Sequence, residues 1–164
     1  MDETIYNKVM DRLRVLCSRR EYCTRDVLEK AAEYLSRYGC EASGVPEAAG
    51  AILGELARDR YVDDLRYASA FARDKSSIAG WGPVKIGHAL RAKGIGQDTV
   101  DAAMGEIDAS RAGEKLLKLL ENKKKALEGD PQSRLKLIRF ALGRGYVYDE
   151  VERALKTLDA STRP

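Results

Sequence analysis

One histidine and three cysteines are the whole supply of soft ligands and ready nucleophiles in this 164-residue chain. Cys17 and Cys23 stand six apart, and His88 is far from both. Structural zinc takes four soft ligands at tight spacings, which this pattern does not offer. A nucleophile–base–acid triad has little to draw on. There is no phosphate-cradling Gly-Lys-Ser/Thr loop and no nucleophile elbow. Asp63-Asp64 is the one adjacent carboxylate pair placed like a site, but no His, Lys or third carboxylate joins it in a catalytic pattern. Capping of a helix start explains the pair better. No catalytic, cofactor-binding or metal-binding residue is therefore expected. His88, on a helix beside small and basic residues, reads as a surface or half-buried side chain.

The chemistry that remains is charge. Residues 1–59 hold nine Lys/Arg against eleven Asp/Glu, net −2. Residues 60–95 hold seven against three, net +4, and residues 96–164 hold thirteen against twelve, net +1. A polyanion contact belongs in the basic middle. Arg66, Arg73, Lys75, Lys85, Arg91 and Lys93 lie there, with Trp81, the only tryptophan. Arg can form bidentate contacts with carboxylate or phosphate, and Trp can stack on a base or plug a turn. Lys123-Lys124-Lys125 ends a long helix, where cations oppose the dipole.

Helices must position these groups. Ile5, Val9, Leu13 and Cys17 recur as one helical face does. Thr24 offers an N-cap to a second helix that stops at Tyr38-Gly39. Pro46 opens a third. Asp63-Asp64, Gly82-Pro83 and Gly94-Ile95-Gly96 punctuate the middle. A long amphipathic helix spans about 109–128, Asp130-Pro131 starts an eighth, and a ninth carries Val151, Ala154, Leu155 and Leu158. No alternating strand pattern persists. The expected fold is all-α, with about nine helices.

The helices repeat. Lys93-Gly94-Ile95-Gly96-Gln97-Asp98-Thr99-Val100 lies over Arg144-Gly145-Tyr146-Val147-Tyr148-Asp149-Glu150-Val151 with basic residue, Gly, apolar residue, Asp and Val matched. Each copy follows a Leu/Ile- and Arg/Lys-rich helix, itself preceded by a longer one. This is a three-helix unit used at least twice. Arg37-Tyr38-Gly39 fits as the same turn in a diverged third copy, given an insertion from Glu41 to Val45. The expected division is an N-terminal unit at 1–58, a basic central unit at 59–108 and a C-terminal unit at 109–164. Stacked units of this kind make elongated, curved bodies that bind extended partners.

A family resemblance runs through the middle of the chain. Tyr61-Val62-Asp63-Asp64-Leu65-Arg66-Tyr67-Ala68 with Phe71-Ala72-Arg73, then Gly80-Trp81-Gly82-Pro83-Val84-Lys85-Ile86, then Leu90-Arg91-Ala92-Lys93-Gly94-Ile95 resemble, in order and spacing, the motifs of the RecX family. Ser18-Arg19-Arg20-Glu21-Tyr22 resembles its early Arg-Arg turn, with Glu21 where Gly is common. Phe140-Ala141-Leu142-Gly143-Arg144-Gly145-Tyr146 resembles its late Arg-Gly-aromatic turn. Gly-Trp-Gly-Pro here replaces Gly-Lys-Gly-Pro or an Arg-containing loop, one cation fewer.

The resemblance implies tandem three-helix units in a curved rod that binds the groove of the RecA–DNA filament and modulates the recombinase, usually by inhibition. It implies no cofactor, no catalysis and a place in the bacterial cytoplasm. Arg66, Arg73, Lys75, Trp81, Lys85, Arg91 and Lys93 are then the candidate filament contacts. Single- or double-stranded DNA is a further partner for the basic unit. The alternative reading is a direct DNA binder with helix-turn-helix-like units. The chain has no run of eighteen apolar residues, and Met1-Asp2-Glu3-Thr4 is followed by no apolar signal core. A monomer, neither exported nor membrane-bound, is expected, with reduced thiols.

Overall fold

Acidic or proline residues open five of these helices, and left-handed residues close several. The computed structural model describes residues 2–161. Met1 and residues 162–164, the end of the expected C-terminal unit, lie outside the described residues. Among the described residues all regular structure is helical. The α-helices are α1 (Glu3–Arg19), α2 (Thr24–Arg37), α3 (Val45–Arg58), α4 (Asp64–Ser77), α5 (Pro83–Ala92), α6 (Gln97–Gly105), α7 (Ala109–Ala126), α8 (Ser133–Gly143) and α9 (Tyr148–Ser161). A single 3-10 turn, Ala42–Gly44, occupies the inserted stretch between Glu41 and Val45.

Starts follow the usual chemistry. The carboxylates of Asp2, Asp63 and Asp108 accept from the backbone amides of Thr4, Arg66 and Arg111 at 2.9, 3.0 and 3.1 Å. Pro46 and Pro83 sit in first turns, where their missing N–H costs nothing. Two starts differ from expectation. Cys23, not Thr24, is the N-cap residue of α2, and it gives no side-chain cap. Helix α8 starts at Ser133 rather than at Asp130-Pro131, because Asp130 accepts from Gln132 N at 2.8 Å and closes a local turn first.

Ends repeat one geometry. Gly39, Gly94 and Gly145 have φ of 94°, 80° and 92°. The residue after each donates its N–H back to the helix: Cys40 to Leu35 O at 3.0 Å, Ile95 to Leu90 O at 3.3 Å and Tyr146 to Ala141 O at 3.2 Å. Thus α2–α3, α5–α6 and α8–α9 are joined by the same turn. Helix α3 ends likewise with Tyr61 N on Leu56 O at 2.9 Å, but there Arg60 holds the left-handed position at φ 61°.

Three hydrophobic clusters follow one another in chain order. The first gathers Val9, Leu13, Val27, Leu35, Ile52 and Leu56, with Val62. The third gathers Leu116, Leu120, Leu137, Tyr146, Val151 and Leu155. The central cluster is thinner: Cys23, Ala68, Ala72, Ile86, Leu90, Ile95, Val100 and Ala103. A buried Leu or Ile stabilises by roughly 1.5–3 kcal/mol, and Ala by far less. Partly buried Tyr67, Phe71, Trp81, Met104 and Ile107 pack against this central cluster and fill out its layer. Helix pairs fall within α1–α3, α4–α6 and α7–α9, with α4 against α7 as a further pairing. No helix among the described residues is long and apolar enough to cross a membrane.

Candidate functional site

Two joints flank the central layer, and each is made where the basic residue of a repeated turn reaches back to the preceding helices. At the first joint, the start of α2 meets α4 and the end of α5. Thr24 N donates to Asp64 Oδ1 at 2.8 Å, so Asp64 caps α2 rather than its own helix. Arg66 Nε donates to Glu21 Oε1 at 2.6 Å and Arg66 Nη2 to Arg60 O at 2.9 Å. Lys93 Nζ lies 3.1 Å from both carboxylate oxygens of Asp26. Glu21 holds the Arg66 guanidinium above its ordinary pKa, and Asp26 does the same for the Lys93 ammonium. Cys23, fully buried, reaches from this joint into the central cluster, and burial pushes its thiol up. The buried Cys17 thiol is likewise raised by burial.

The second joint is backbone against backbone. Gly82 N donates to Arg144 O at 2.8 Å and Val84 N to Gly145 O at 3.0 Å. The Arg144 guanidinium donates to Gly80 O at 2.8 Å and also to Ala79 O. A Cβ on Gly82 would overlap the Gly145 carbonyl and Tyr146 N. A Cβ on Gly145 would overlap the backbone of Lys85, and its φ of 92° suits only glycine.

The seven sequence-selected residues divide between these places. Lys75, Trp81 and Lys85 come together beside the second joint. Lys75 Nζ is 4.5 Å and Lys85 Nζ 4.3 Å from the centre of the half-buried Trp81 ring. Phe71 meets Trp81 edge-on with centroids 6.1 Å apart. Arg66 and Lys93 stand at the first joint, tied to acidic partners. Arg73 and Arg91 are exposed, with Arg73 Nη1 3.9 Å from Glu106 Oε2 and Arg91 Nη1 donating to Gln97 Oε1 at 3.4 Å. His88 is exposed on α5. Among the described residues, no three His, Cys, Asp or Glu are grouped to share a metal ion.

Two cations near Trp81 come from outside the basic middle. Lys115 Cε would sit 3.3 Å from a Cβ on Gly80, and Arg144 crosses the same turn. The alignment of Arg144 with Lys93 in the repeat was a usable signal for the Arg144 contact across a joint. Nothing in the sequence marked Lys115. Beside them opens a cavity of about 590 Å³ between the central and third layers. Its walls carry Trp81, Pro83, Ile86, Met104, Leu116 and Leu117, with Ser76, Glu150, Arg153 and Thr157 as polar members. Burial raises the Glu150 carboxyl above the usual carboxylate range.

This surface is suited to binding: cations, an aromatic ring and an apolar recess on a rigid helical frame. Residues 63–104, which span α4 to most of α6, match the family model for the second three-helix domain of RecX. A regulatory protein RecX from Bacillus mycoides (strain KBAB4) is 29% identical over 109 residues, 65% of this chain and 40% of that protein. One from Streptococcus gordonii is 26% identical over 137 residues, 80% of this chain and 49% of that protein. The aligned segment thus spans less than half the length of either relative. The crystal structure of RecX from Lactobacillus salivarius shares the fold at a TM-score of 0.78 and 19% identity, covering 96% of this chain and 98% of that one. A second crystal structure of a regulatory protein RecX gives 0.77 and 21%, covering 93% and 72%. The matched central domain, the relatives and the common helical order agree: the chain is similar in sequence and in fold to regulatory proteins of the RecX family.

Proposed function

We propose that this protein binds the RecA–single-stranded DNA filament and modulates the recombinase in recombination and repair, in the direction of inhibition. It acts by binding, with no catalytic step and no cofactor, as a monomer in the bacterial cytoplasm. The observation that carries the reading is the Lys75–Trp81–Lys85 cluster. Both ammonium groups rest on an aromatic ring, and among the described residues no ion pair to a carboxylate engages either. They are available to acidic protein surface or phosphate, whereas Arg66 and Lys93 already hold carboxylates. Arg73 and Arg91 remain as outlying contacts. On the same reading the chain divides into units at 1–58, 59–108 and 109–164, with Tyr61 and Val62 reaching back to the first core.

The test is ATP hydrolysis by RecA from the same organism on single-stranded DNA. A fall in rate at substoichiometric amounts of this protein is the expected result, and an unchanged rate with active RecA refutes the reading. A second reading, direct DNA binding, draws on the same basic–aromatic cluster. It predicts strongly salt-dependent binding to bare DNA at physiological salt.

A further inference from the structure

We propose that the cavity beside Trp81 seats an apolar anchor side chain carried by an acidic protein segment. The proposal rests on the filament reading and specifies its chemistry: the surface here recognises protein rather than nucleic acid. At about 590 Å³ the recess falls in the size range of small-ligand sites, ample for one or two large side chains. Its walls are alkyl and aromatic, with Pro83, Ile86, Met104, Leu116 and Leu117 around Trp81. Interface hot spots take this form, an apolar anchor in a desolvated pocket.

The charge comes from residues next to the recess rather than from its lining. Lys75 and Lys85 lie over the Trp81 ring, and Lys115 packs its stem at Gly80 next to it. The charged residues of the lining itself, Glu150 and Arg153, are of opposite sign, so the positive surplus lies with the lysines around the Trp81 ring. An apolar residue flanked by Asp or Glu is the complementary ligand. Nucleic acid is the poorer fit. Strand binding uses open aromatic faces on which bases stack. Trp81 is half-buried, edge-on to Phe71 and approached by two ammonium groups. The alkyl walls also offer few partners to the polar edge of a base.

Trp81 is the only tryptophan in the chain, so its emission reports directly on this wall. The full-length protein is titrated with a blocked hexapeptide bearing Phe-Leu between two pairs of acidic residues, with the same peptide carrying Ser-Ser, and with oligothymidylate. The Phe-Leu peptide is expected to shift the emission saturably, and the Ser-Ser peptide to leave it unchanged. Gly113→Phe fills the recess from α7, where a Cβ meets open space. It is expected to weaken peptide and filament binding by roughly thirtyfold or more, the loss of one anchor, with melting unchanged. If that variant melts lower, Ala112→Leu replaces it on the same wall. A shift caused by oligothymidylate instead, no shift by any probe, or full filament binding by the filled variant overturns the proposal. Failure of the filament reading shows separately, as a parent protein without effect on RecA ATP hydrolysis.

Discussion

The two joints of this molecule solve one problem with different chemistry. The first is held by charged side chains: Asp64 caps α2, Glu21 binds Arg66 and Asp26 binds Lys93. The second is held by the close approach of two glycines and by main-chain hydrogen bonds, with Arg144 donating to two carbonyls. In both, the basic residue preceding the left-handed glycine of a repeated turn reaches into the preceding layer. A lysine does so through a carboxylate, an arginine through backbone. The comparison teaches that a repeat can keep a turn while changing the bond it makes. It also separates cations that hold carboxylates or carbonyls from Lys75 and Lys85, which rest on an aromatic ring.

Gly82→Ala is the strongest way to break the contrast. Its backbone, at φ −83° and ψ 170°, tolerates alanine, so the whole cost is the clash with Gly145 and Tyr146. Roughly 3 kcal/mol or more is expected in urea unfolding, with the C-terminal helices melting separately. Arg144→Met comes next, at about 1.5–3 kcal/mol, since it strips charged donors from the carbonyls of Ala79 and Gly80. At the first joint, Asp64→Ala removes the cap of α2 and is expected to cost about 1 kcal/mol.

Smaller effects sharpen the comparison. Lys93→Met should cost under about 1 kcal/mol, because the pair is partly exposed and salt screens it. Its pH dependence has a definite sign. The folded Lys93 pKa is raised by Asp26, so the stabilisation is complete below the ordinary lysine value of about 10.4 and fades as pH rises through the higher folded value. Thermal melts from pH 8 to 11 should show this loss in the parent and not in Lys93→Met.

Much of the fold was legible because its signals are local. Glycines at 39, 94 and 145, prolines at 46 and 83, and Asp63 each act within a few residues of themselves. Arg60 was not legible, since an arginine rarely adopts positive φ. Its conformation goes with a carbonyl bound by Arg66. The site was legible only as a charge surplus. Net charge singled out the middle third of the chain but not which of its cations are occupied, because Glu21 and Asp26 approach from a distant part of the sequence. Asp64 was readable as a cap, yet its target on another helix is a tertiary fact. Lys115 reaches the Gly80 turn from a segment with almost no net charge.

The most direct test of the whole account compares two paired charge reversals in RecA ATP hydrolysis and filament binding. Lys75→Glu with Lys85→Glu should abolish the effect on the filament while changing unfolding free energy by no more than about 2 kcal/mol, the lost cation–π contacts to Trp81 and Phe71. Arg66→Glu with Lys93→Glu should loosen the first joint in unfolding and proteolysis, yet retain action on the filament under conditions where it remains folded. The opposite pattern, with filament action surviving the first pair and lost with the second while that protein is folded, would contradict the account.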